Sequence, residues 1–168
     1  MTRFHSIVLA AILSLAAVPA IAQEFKAGDI TIDKPWSRAT PKGTTVGAGY
    51  LVIHNHGAAP DKLVGGSADF AGGVAVHEMS MDNGIMRMRE LKSGLEIPAN
   101  GDVTLSPKGY HVMFTDLKRP LKKGETLKAT LTFEHAGAVP VEFQVSGVGA
   151  AGPGGAATPE DSMKGMKM

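Results

Sequence analysis

The chain of 168 residues contains no cysteine. No disulfide can brace it, so any fold rests on its apolar core alone. The same absence excludes a blue-copper electron-transfer centre, which needs a thiolate, paired-thiol metal carriers and thiol redox enzymes. Charge is not in excess either. Arg3 is the only charged residue before position 23, and the remainder carries 16 basic and 16 acidic side chains. A balanced chain offers nucleic acid and anionic membrane no electrostatic handle. After residue 22 no apolar run approaches the length of a membrane span, so stable insertion is not expected. No nucleophile–base pair, paired carboxylates or phosphate-binding glycine loop stands out, and the chain reads as a binding protein rather than an enzyme.

The start of the chain reads as a secretory signal. Arg3 supplies the positive end, Ile7 to Val18 an apolar stretch too short to span a bilayer, and Ala20-Ile21-Ala22 a small-x-small cleavage site. Residues 1–22 are expected to be removed, leaving a periplasmic protein that begins at Gln23. Residues 23–148 are long enough for one domain with a sizeable core. From Gly149 the composition turns to Gly, Ala and Pro, then to a polar end with Met163, Met166 and Met168. Residues 149–168 are therefore expected to form a disordered, Met-containing tail.

The most informative stretch runs from Val76 to Phe114. It holds five of the nine Met and two of the six His. Thioethers are soft, neutral ligands that favour Cu(I), and imidazole accepts several metals. Asp82-Asn83-Gly84 is a tight-turn signal between two runs able to pair as strands. With Asn83 and Gly84 at the loop centre, Met81 faces Met86 and Met79 faces Met88. Strand side chains alternate, so His77, Met79, Met81, Met86 and Met88 share one face, and Glu78, Ser80, Arg87 and Arg89 the other. His111 and Met113 are also two apart and share a face. Met is more often core filler than ligand, and Met81 and Met86 read as core or rim. The two separate His-plus-Met pairs, His77 with Met88 and His111 with Met113, are harder to explain by packing and read as a metal site.

Elsewhere the chain reads as short strands punctuated by Gly and Pro, with no 3.6-residue periodicity longer than two turns. Strands are expected at 29–33, 48–56, 63–66, 74–81, 85–91, 102–105, 110–114, 127–135 and 139–145, an all-β sandwich or barrel. Trp36, the only Trp, reads as a core anchor. His54 and His56 share a strand face and are able to hold a divalent ion, but Gly57 follows at once and an incidental role ranks first. His135 reads as surface.

This chain resembles the periplasmic PCuAC-type copper chaperones. Their pattern is a His, a Met and then His-x-Met. Here ten residues separate His77 from Met88, and twenty-two separate Met88 from His111-Val112-Met113. The second gap is slightly longer than the family's, and the extra residue falls in the loop around Ser93 to Gly101. The resemblance extends to PWSRATPKGTTVGAGYLVIHNHG, PKGYHVMFTDLKRPLKKGE and LKATLTFEHAGAVPVEFQV. It implies a cupredoxin-like Greek-key β-barrel and a metal site of His77, Met88, His111 and Met113. The implied cargo is Cu(I), with Cu(II) as a second state. The implied partner is the copper subunit of a respiratory cytochrome oxidase or another copper-assembly protein. A copper buffer or resistance protein, and a metal-free interaction module, are the alternatives.

Overall fold

In the computed structural model, which describes residues 24–154, the chain is entirely β with turns. In chain order the strands are β1 (Glu24–Ala27), β2 (Ile30–Arg38), β3 (Gly47–Asn55), β4 (Asp61–Ala68), β5 (Gly73–Asp82), β6 (Ile85–Glu90), β7 (Leu95–Ile97), β8 (Gly101–Leu105), β9 (Tyr110–Thr115), β10 (Thr126–Phe133) and β11 (Gly137–Ser146). The ladder runs β2-β11-β10-β4-β5-β9-β3, and β3 returns to β2. Seven strands thus close a barrel and remove the free edges an open sheet would expose. β1 and β8 extend the ladder beyond the closure, and β6 and β7 hang from β5 and β4. The expected all-β Greek-key barrel is what forms. The predicted signal (residues 1–22) and the tail methionines 163, 166 and 168 lie outside the described residues.

Two strands escape the sequence reading, and β2 and β4 run longer than expected. β7 has only three residues, too few to display a period, yet Leu95 and Ile97 are buried in the core. It occupies the stretch read as a loop around Ser93 to Gly101. β1 pairs with β2 across a turn at Gly28, whose φ is +58°. β2 does not stop at Asp33. Its pairing with β3 shifts between Asp33 and Trp36, where Lys34 adopts φ +49°. Pro35, with no N–H to give a ladder, sits inside this bulge, one of the few places a sheet tolerates proline. The bulge brings Trp36 opposite Tyr50 and carries β2 on to a parallel pairing with β11.

Alternation sorts β3 and β9 into two faces. Leu51, Ile53, Val112 and Phe114 point into the barrel and are fully buried. Phe114 stacks edge-on with both Phe70 and Phe143 at centroid distances of 5.0 and 5.4 Å. Gly49 lies beneath those rings. A Cβ there would lie 2.7 Å from Phe143 and 3.0 Å from Phe114, and neither buried ring has room to retreat. Gly49→Ala is therefore expected to destabilise the fold by about 1–3 kcal/mol, the usual cost of overpacking. Urea denaturation of the apo-protein, with near-UV circular dichroism reporting the aromatic core, measures the loss.

Asp61 shows how a loop is anchored without a disulfide. Its buried carboxylate accepts the backbone N–H groups of Lys62, His135 and Ala136 at 2.7, 2.9 and 2.9 Å. Burial pushes its pKa up, but these bonds more than reverse that and hold it below the usual value. His135 itself sits exposed in the β10–β11 turn.

Candidate metal centre

The hairpin forms in the register its turn dictates. Asn83 and Gly84 have φ of +49° and +78°, the conformation of a two-residue type I′ loop. Met81 pairs with Met86 and Met79 with Met88. The opposite face carries an Arg89–Glu78 ion pair at 2.8 Å, and Arg87 reaches Asp82 at 3.2 Å. Met81, Met86 and Met88 are exposed; Met79 is half-buried. Met81 and Met86 thus form an apolar rim at the hairpin tip.

β5 is the strand that joins the two halves of the site. It pairs with β6 through residues 77–82 and with β9 through residues 73–78. In the second ladder His77 lies directly opposite His111, and Met113 lies opposite Ala75. Across β9, Met113 also lies opposite Ala48 of β3. Two alanines therefore flank the Met113 side chain and leave it space. The imidazole centroids of His77 and His111 are 5.8 Å apart. His111, Met113, Met88 and Met79 line one cavity of about 300 Å³, together with Tyr50 and Arg38. His77 is not among that cavity's lining residues and meets the group through His111.

The polar accounting of the two imidazoles suits a soft cation. His111 is almost fully buried. Its Nδ1–H donates to the Gly109 carbonyl at 3.3 Å, which leaves the lone pair of Nε2 for a ligand bond. Nδ1 of His77 is buried and has no hydrogen-bond partner; among the described residues it is the lone side-chain nitrogen or oxygen in that condition. A buried orphan costs about 1–3 kcal/mol in an empty site, a cost a metal ion removes. The described residues contain no preassembled cluster of three His, Asp or Glu, so a hard-ligand centre is absent among them. What converges is imidazole and thioether.

Burial lowers the His111 pKa below its ordinary 6.5; the Gly109 hydrogen bond opposes this, and charge on His77 adds to it. The folded state thus binds fewer protons at His111 than the unfolded chain does. Stability from this group is intact above pH 6.5 and is lost as pH falls from there through the lowered folded value. The urea midpoint of the apo-protein is expected to drop between pH 7.5 and 5.5, and to drop less in His111→Gln.

The remaining imidazoles are accounted for otherwise. His54 meets Asp102 at 2.6 Å through Nδ1 and Asp33 at 3.4 Å through Nε2. Its ring stacks beside that of His56.

Sequence reasoning did not foresee the cover over this face. Residues 149–154, placed by composition in the tail, pack on the barrel. Ala150 is fully buried against Trp36 and Tyr50. Its carbonyl accepts a 2.7 Å hydrogen bond from Arg38 Nε, and the Gly154 N–H donates to Ser146 Oγ at 3.0 Å. Trp36 is an anchor as expected, but for this outer cluster with Tyr50 and Ala150, not for the interior of the barrel. Composition alone hid the strap because Gly and Ala bury without an apolar signature.

Comparison with known proteins places this architecture. The family model described as "Putative lipoprotein LpqE-like" matches residues 30–145. A relative in Leifsonia xyli subsp. xyli, described as "Putative lipoprotein Lxx21020", is 33% identical over 120 residues, 71% of each chain. Among solved structures, the copper-bound PCuAC domain from PmoF2 superposes with a TM-score of 0.64 at 28% identity, covering 74% of this chain and 98% of that one. The Cu(I) form of DR1885 from Deinococcus radiodurans gives 0.57 at 31% identity, covering 76% and 83%. With the match spanning nearly the whole barrel, the chain belongs to the LpqE-like family and has the fold of the PCuAC domains.

Proposed function

We propose that this protein is a periplasmic copper(I) carrier that hands its ion to a copper enzyme. The observation that carries the reading is the pair His77–His111, one nitrogen of which is a buried orphan, beside a cavity lined by Met88 and Met113. His77, Met88, His111 and Met113 hold the ion. The imidazoles supply most of the affinity. The thioethers favour the reduced ion and bind it without losing a proton. The copper-bound PmoF2 domain and the Cu(I) form of DR1885, both similar to this chain, support the same cargo.

The geometry also suits release. His111 and Met113 are buried, 4% and 8% exposed, whereas Met88 is 52% exposed. One side of the ion thus faces an open rim where a recipient's ligand is able to replace Met88 while the buried pair still holds. The recipient by this reading is the copper subunit of a respiratory cytochrome oxidase or another assembly protein, and the carrier performs no chemistry of its own on a substrate.

A competition titration of the mature protein under reducing conditions tests the cargo, with one Cu(I) expected per domain. Mixing the loaded protein with apo-oxidase copper subunit tests the delivery. Failure to transfer while Cu(I) remains tightly bound would identify a buffer.

A further inference from the structure

The cavity that holds Met88, His111 and Met113 is lined by no Asp or Glu, and Arg38 is the one Lys or Arg among its described lining residues. A guanidinium keeps its charge at any physiological pH. Arg38 is also held in place. Its Nε donates to the Ala150 carbonyl at 2.7 Å, so the 149–154 strap pins the head group. The guanidinium carbon lies 5.8 Å from the centroid of Tyr50, and the Tyr50 ring lies 6.5 Å from that of His111. Two such steps bring the charge within about 12 Å of the His111 imidazole. Tyr50 offers no compensating anion, because burial raises its phenol pKa, against the opposing pull of Arg38.

We propose that Arg38 is a specificity-determining residue that biases this site toward monovalent over divalent metal. The inference rests on the copper reading above and adds a residue that coordinates nothing. The physical reason is Coulomb's law. A fixed positive charge repels each unit of metal charge, so Cu(II) pays twice what Cu(I) pays. At about 12 Å and an effective dielectric constant of about 20, one unit of charge corresponds to roughly tenfold in affinity. Solvent reaching the open side of the cavity reduces this, and three- to tenfold per unit is the expected range. The thioethers already favour Cu(I) by their softness. Arg38 adds a charge-based preference that also acts against other divalent ions, which softness discriminates less sharply from Cu(II).

The experiment compares wild type, Arg38→Gln and Arg38→Lys. Cu(I) affinity is measured by competition under reductant, Cu(II) affinity separately without it, and the midpoint potential of the bound couple by voltammetry. Circular dichroism confirms that each variant is folded. Arg38→Gln should raise Cu(II) affinity three- to tenfold more than it raises Cu(I) affinity. The midpoint potential should fall by the corresponding amount, 59 mV for each tenfold in a one-electron couple. Arg38→Lys keeps the charge and loses the hydrogen bond of Nε to Ala150, so its ratio should stay near wild type. A purely structural role predicts the opposite, with Lys behaving like Gln. An unchanged ratio in Arg38→Gln, with Cu(I) still bound, overturns the inference and leaves the copper site standing. A lack of Cu(I) binding in the wild type overturns both.

Discussion

His111→Ala is expected to lower Cu(I) affinity by more than about 100-fold, the upper range for losing a mere outer-shell partner of a metal ligand. His111 is the residue around which the site turns. It lies opposite His77 on β5, bonds Gly109 through Nδ1 and contributes to the same cavity as Met88 and Met113. Removing its ring deletes a proposed ligand and opens a void beside the orphan nitrogen of His77. Met113→Ala is expected to weaken Cu(I) by at least about tenfold, since Met113 is the more buried of the two thioethers. His54→Ala and His135→Ala should leave affinity within about twofold of wild type. His54 is already engaged by Asp102 and Asp33, and the His135 backbone serves Asp61. Cu(I) competition titrations on the four variants check the ranking. Loss of Cu(I) binding in His54→Ala would place the metal elsewhere.

A single glycine inserted after Gly84 is expected to cost about tenfold or more in Cu(I) affinity, and two inserted glycines much less. The reason is that β6 pairs only with β5 among the described strands, and all six of its residues are exposed. It has no second neighbouring strand, so beyond the Arg89–Glu78 ion pair and the Leu91 N–H bonded to the Val76 carbonyl, the two-residue turn sets its register. A slide of one position sends every β6 side chain to the other face. Met88 then leaves the face of Met79 and His111, and Arg87 enters it, bringing a positive charge toward a cation. A slide of two restores the faces. Affinity should therefore alternate across zero, one and two insertions. A steady decline would count against register control. Retention of full binding after one insertion would do so too, once a bulged loop has been excluded by the NMR cross-strand contacts of Met79 and Met88.

These two experiments probe different kinds of information. Hairpin register and the grouping of His and Met on shared faces were legible in the sequence because both are local. Asn-Gly demands a positive φ at consecutive positions, and period-two alternation then assigns each side chain of Val74 to Leu91 a face. The same alternation correctly separated Tyr50, Val52 and His54 from Leu51 and Ile53. It failed where local signals are weak. β7 is too short to show a period. The strand expected at 29–33 stops short because the bulge that accommodates Pro35 depends on β3 lying alongside.

What the sequence by itself determined is a Cys-free β protein, held by its core, with one His-plus-Met pair on one face of a hairpin and the other on one face of a single strand. Whether those faces meet was a tertiary decision. Residues 77 and 111 become neighbours only because β9 docks against β5 on the side that β6 leaves free, and no local propensity encodes which strands adjoin. Pairing of β3 with β9 sets Tyr50 beside His111, and closure of β2 on β3 sets Trp36 against Tyr50. The strap at 149–154 buries that corner and fixes Arg38. The difference between buried Met113 and exposed Met88 arises the same way. Both are thioethers two residues or one turn from a His in sequence terms, but one lies between β5 and β3 and the other on a strand with a single neighbour. Burial is a property of what packs on a side chain, and for these residues everything that packs on them comes from distant parts of the chain.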